Sequence, residues 1–157
     1  MPGEPLLLEI AAIAVVVAGF TAVTAALVPP GGSWHPAMRI RQRAVVSTSF
    51  NVMFESLVPS IAFAWLGDAR AALVWASAGV AVYATGIVAW RGRQFLRAGG
   101  NRTRTAVVLF TLGPTATLLF WANALVYGSV AVYALALCVQ LSVAAVSFYS
   151  LVSAAQS

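Results

Sequence analysis

Ser47, Asn51 and Glu55 recur every four residues inside an apolar stretch, and Pro59 follows four residues later. A hydroxyl, an amide and a carboxylate on one face of a helix are oxygen-bearing groups of the kind that bind a proton or a small cation. Pro59 adds to them, because proline has no amide hydrogen and clashes with the carbonyl four residues back. The Glu55 carbonyl therefore loses its helical partner, and one residue offers both a carboxylate and a backbone oxygen. A second set has the same design. Thr111, Thr115 and Asn123 are spaced by four and eight residues, and Pro114, after Gly113, removes the amide that the Phe110 carbonyl would otherwise accept from.

The elements that must carry these sets are set by the solvent around them. Of the 157 residues 61% are hydrophobic and 8% charged, and the mean hydropathy is +0.91. A soluble domain covers its surface with about 25% charged residues, so this inventory predicts an integral membrane protein. Five apolar stretches reach the roughly 20 residues that a helix needs to cross a bilayer, at 6–28, 44–66, 69–90, 106–127 and 129–152. They are too long for the roughly ten-residue alternating strands of a membrane barrel, and backbone groups in lipid must pair within the segment. The expected fold is one all-α domain over 1–157, a bundle of five transmembrane helices with a tight turn at Tyr127, Gly128 and Ser129. Glu55 then lies about 16 Å from the Ala44 end of its span, and Thr115 about 15 Å from Thr105, both near the midplane.

Charge predicts the threading. The nine basic residues are all arginine, against Glu4, Glu9, Glu55 and Asp68. Arg39, Arg41 and Arg43 lie between the first and second spans, and Arg91, Arg93, Arg97, Arg102 and Arg104 between the third and fourth. A five-span chain puts both segments on one side, opposite Arg70. The positive-inside rule makes that side cytoplasmic, with the N-terminus outside and the C-terminus inside. These eight arginines are expected to contact anionic lipid headgroups, a soluble acidic partner being the sharper alternative. The N-terminal stretch lacks a basic flank and exceeds a signal peptide's apolar core, so it reads as a span rather than a cleaved leader. The sequon at Asn101 falls on the predicted cytoplasmic side, where it would be silent. A shift of 62 residues lays the first span on the third and one arginine segment on the other, a pattern of two hairpins plus a fifth helix.

Small residues predict where helices meet. Ala14, Ala18, Ala22 and Ala26 form one seam, and Ala72, Ala76 and Gly79 a shorter one. The alternative for these seams is a homo-oligomer or membrane-protein interface. Trp34, Trp65, Trp75, Trp90, Trp121 and Tyr127 fall near span ends, where headgroup-level aromatics belong. Cys138 is expected to pack as a small buried hydrophobe. Glu9 is shallow enough to be solvated, with Arg70 as a conceivable ion-pair partner, and His35 reads as an exposed loop histidine.

Several classes are excluded or disfavoured. A single histidine forbids a bis-histidine haem or a zinc helix motif, and there is no phosphate-binding glycine loop, so no cofactor and no metal site are expected. No nucleophile with a histidine in reach and no paired carboxylates are present, which argues against catalysis. The clustering of the arginines speaks for topology rather than nucleic acid. The expectation is a small channel- or transporter-like protein in which Glu55, Asn51, Ser47, Thr115 and Asn123 line a cation or proton route. The alternative is an accessory or scaffold subunit that binds other membrane helices. An arginine-only basic set among many alanines and valines suits a bacterial inner membrane.

Overall fold

The computed structural model describes residues 1–26, 36–97 and 104–155, with side chains at 1–23, 42–93, 108 and 110–150. Five α-helices follow one another: α1 (Glu4–Ala26), α2 (Pro36–Leu66), α3 (Ala69–Arg97), α4 (Arg104–Ala122) and α5 (Val130–Ala155). A π-helical turn, Asn123–Tyr127, extends α4. No strand occurs among the described residues. Among the described residues four helices are long and apolar enough to cross a membrane, over Glu4–Val23, Gln42–Leu66, Ala69–Arg93 and Val130–Ser150. The 19-residue α4 is not among them.

Helices and apolar stretches do not share boundaries. The α2 helix begins at Pro36 rather than near Ala44, and α3 continues to Arg97 rather than stopping near Trp90. Arg39, Arg41, Arg43, Arg91, Arg93 and Arg97 therefore belong to helices, not to the connecting loop expected from hydropathy. Lipid thickness limits how long a chain stays apolar, whereas arginine is a good helix former and proline suits a first helical position. The turn between α2 and α3 has local causes. Gly67 adopts φ 68°, its amide donates to the Phe63 carbonyl at 2.9 Å, and Asp68 Oδ1 caps α3 by accepting from the Ala71 amide at 2.7 Å.

Burial and apolarity are uncoupled, as lipid solvation requires. The centre is built from Leu7, Val52, Leu73, Phe120, Tyr133 and Leu137, while Phe20, Trp65, Leu118 and Leu125 face outward. Small residues bring the backbones together: Ala14, Ala72, Ala81, Ala136 and Ala144 are fully buried. The expected seams hold in part. Ala14, Ala18, Ala72 and Ala76 are buried, but Ala22 and Gly79 are exposed; a four-residue repeat drifts about 40° per step, which carries Ala22 around the helix. Cys138, expected inside, is exposed. With an apolar solvent outside, a thiol gains little by burial. Trp65, Trp75, Trp90 and Tyr127 are exposed, whereas Trp121 is partly buried and donates to Thr85 Oγ1 at 3.2 Å. Glu9 is exposed, and the ion pair found among the described residues joins the Met1 amino group to Glu4 at 2.8 Å rather than Glu9 to Arg70. Trp34, His35 and the Asn101 sequon lie outside the described residues, as does the Ala26 side chain.

Packing places α5 against α1, α2 and α4, with α3 also touching it; α2 packs on α1, α3 and α5. The α4 helix packs on α3 and α5, and among the described residues its backbone does not pack directly on α2. Gly3 abuts Val130, and Gly128, in the left-handed region at φ 56°, abuts Arg70 and Val74. The start of α1, the start of α3 and the α4–α5 turn thus share one end of the bundle. The arginine-bearing ends of α2, α3 and α4 are at the other.

Candidate functional site: a buried carboxylate between α2 and α5

Glu55 sits near the middle of the apolar part of α2 and is 5% exposed. Its surroundings come from α5. Gln140 Nε2 donates to Glu55 Oε1 at 3.3 Å, and the Tyr133 hydroxyl donates to the Glu55 backbone carbonyl at 2.7 Å. That carbonyl is the one deprived of its helical partner by Pro59. The expectation that it would be an uncommitted oxygen of the site is corrected: Tyr133 claims it. Tyr133 is held in turn by the ring of Phe120 from α4, edge-on with centroids 5.2 Å apart and planes at 69°. Two buried oxygens beside this assembly, Glu55 Oε2 and Gln140 Oε1, have no hydrogen-bond partner among the described residues.

A cavity of about 50 Å³ lies on the arginine side of Glu55. Thr48 and Asn51 of α2, Arg91 of α3, Thr117 of α4 and Gln140 of α5 supply its polar lining. Gln140 thereby has one atom on the carboxylate and a place in the cavity wall. A water-sized group needs about 10–15 Å³, so a few fit.

The expected residues separate into three outcomes. Asn51 lines the cavity, and its Oδ1 accepts from the Tyr83 hydroxyl at 3.3 Å. Ser47 does not: it is exposed, and its hydroxyl bonds the Ala44 carbonyl at 3.3 Å. Thr115 is likewise exposed, and its hydroxyl donates to the Thr111 carbonyl at 2.8 Å. Asn123 is fully buried but serves the fold. Its Nδ2 donates to Ser77 Oγ at 2.8 Å, its Oδ1 accepts from the Ser129 amide at 2.8 Å, and its carbonyl accepts from the Gly128 amide at 2.8 Å, closing the π-helical turn. Among the described residues α2 and α4 do not pack backbone to backbone but face each other across the cavity, whose lining includes neither Thr115 nor Asn123, so the stripes do not join these two residues to Glu55. Of the expected lipid-contacting arginines, Arg43 and Arg93 are exposed, and Arg91 is partly buried in the cavity wall. The side chains of Arg39, Arg41, Arg97 and Arg104 and the whole of Arg102 lie outside the described residues.

Sequence reasoning missed Tyr133, Gln140, Thr48 and Thr117. The signal was a seven-residue spacing. Thr48 and Glu55 on α2, and Tyr133 and Gln140 on α5, are each seven apart and so within about 20° on one helix face. The four-residue stripe from Ser47 to Glu55 drifts about 80° over two steps, which carries Ser47 out of the bundle. A search with family models, curated proteins and solved structures finds no match to this chain.

Proposed function

We propose that this protein is a small membrane transporter or channel in which Glu55 carries protons between the centre of the bilayer and the arginine-rich side. The carrying observation is the half-satisfied Glu55 and Gln140 pair, with one buried oxygen on each residue lacking a partner. A purely structural carboxyl would have its hydrogen-bonding capacity used, since a buried polar atom without a partner costs about 1–3 kcal/mol. A group that gains and loses a proton must instead have room for both states. Gln140 connects the carboxylate to the cavity wall, where a few water-sized groups would relay a proton. A single carboxylate with Gln140 as its side-chain partner suits a proton better than a metal cation, which takes several oxygen ligands, and Arg91 in the same wall opposes either.

The frame of this reading is a five-span chain in a bacterial inner membrane. The α4 helix with its π-helical turn covers Arg104–Tyr127, which at 1.5 Å per residue is about 36 Å and long enough to cross. Eight of the nine arginines then lie at the cytoplasmic end, with the N-terminus outside and the C-terminus inside. Liposomes holding the purified protein, challenged in turn with proton, sodium and potassium gradients, test the ion. Proton flux without sodium or potassium flux is expected. Absence of all three would remove the transport reading in favour of an accessory subunit.

A further inference from the structure

We infer that the cavity beside Gln140 is a binding site for a small inorganic anion of chloride size, with Arg91 as its principal ligand. This goes beyond the proton reading: the anion would sit on Arg91 rather than on Glu55 and would share the cavity with the relaying waters. The cavity brings four helices together around one charged group, the Arg91 guanidinium, and no acidic side chain lines it. Nor does any ion pair among the described residues neutralise Arg91. Partly buried guanidinium without a carboxylate is electrostatically incomplete, and its five N–H donors are suited to an anion.

The remaining lining adds two donors, while Thr117 spends its hydroxyl hydrogen on the Gly113 carbonyl at 3.0 Å and Gln140 Oε1 is an acceptor. Asn51 uses its Oδ1 to accept from Tyr83, which leaves its amino group to donate, and the Thr48 hydroxyl is a further donor on the adjacent turn of α2. Gln140 fixes its Nε2 on Glu55 and closes the inner end. Ala84, Ala116 and Gly113 supply apolar walls without filling the space. A volume of about 50 Å³ admits a monatomic or small planar anion beside one or two waters, not a phosphate ester. At the cytoplasmic end of the bundle, the surrounding arginines would concentrate anions near its mouth.

Equilibrium dialysis of radiolabelled chloride against the purified full chain in chloride-free detergent buffer tests the site. Saturable binding of about one ion per chain is expected, weakened at least tenfold, about 1.4 kcal/mol, by Arg91→Gln and unchanged by Arg43→Gln, an exposed arginine on the same side. Ala84→Leu, which fills the cavity while keeping every charge, is expected to abolish binding as well, so the result does not rest on one variant folding. No saturable binding to the wild type would overturn the site. Equal loss in the Arg91 and Arg43 variants, or full binding in Ala84→Leu, would overturn it too, by assigning the anion to the arginine surface at large.

Discussion

Asn123 and Glu55 are both sealed inside the bundle beside a departure from regular helix, yet they are treated in opposite ways. At Asn123 the irregularity is a π-helical turn, and the side chain closes it: both polar atoms and the backbone carbonyl have partners at 2.8 Å. At Glu55 the irregularity is Pro59, and Tyr133 from another helix repairs the backbone while the carboxylate keeps one oxygen without a partner. Depth and burial are therefore poor guides to function in a membrane interior. The informative quantity is what remains after the fold has used each polar atom. Each side-chain polar atom of Asn123 has a partner, and Glu55 Oε2 has none among the described residues.

Breaking the satisfied region should cost stability without touching transport. Asn123→Leu removes two side-chain hydrogen bonds and leaves the Ser129 amide without its acceptor. It is expected to lower stability by about 2 kcal/mol in detergent unfolding titrations, with flux per folded molecule unchanged. Gln140→Leu should show the reverse pattern. Its bond to Glu55 is long, at 3.3 Å, so stability changes little, but proton flux is expected to fall roughly tenfold, about 1.4 kcal/mol on the barrier, because the link to the cavity is cut. Equal stability loss in both variants, with flux intact, would erase the distinction between the two regions.

Finer substitutions sharpen it. Tyr133→Phe keeps the ring against Phe120 and deletes the hydroxyl that serves the Glu55 carbonyl, so a loss of about 1 kcal/mol is expected by the same titration. The smallest effect belongs to Thr115→Val. The hydroxyl is exposed and bonded to its own helix, so stability should stay within about 0.5 kcal/mol and flux should not change. A flux defect in Thr115→Val would mean that α4 contributes to the route after all.

The helical class, the lengths of the apolar stretches and the buried setting of Glu55 were legible because hydropathy and a carboxylate among apolar residues are local signals. The freed Glu55 carbonyl was legible too, since the loss of its partner follows from the four-residue spacing to Pro59. Its new partner was not, because Tyr133 lies 78 residues away in the chain and nothing local on α2 points to it. Ser47 and Thr115 were misplaced by reading a four-residue repeat as a straight stripe, when helical drift turns it outward. Asn123 was misread for a different reason. A single asparagine looks the same whether it lines a route or closes a π-helical turn, and the distinction depends on Ser77 and Ser129.

The central claim rests on the carboxyl of Glu55, and the most direct measurement is proton flux into liposomes containing wild-type protein or Glu55→Gln at matched folded amounts. Glutamine keeps the shape and can still bond Gln140, but it cannot release a proton. Flux is predicted in the wild type and its loss in the variant, with unfolding behaviour little changed. Equal flux in the two would contradict the assignment of Glu55 as the proton carrier.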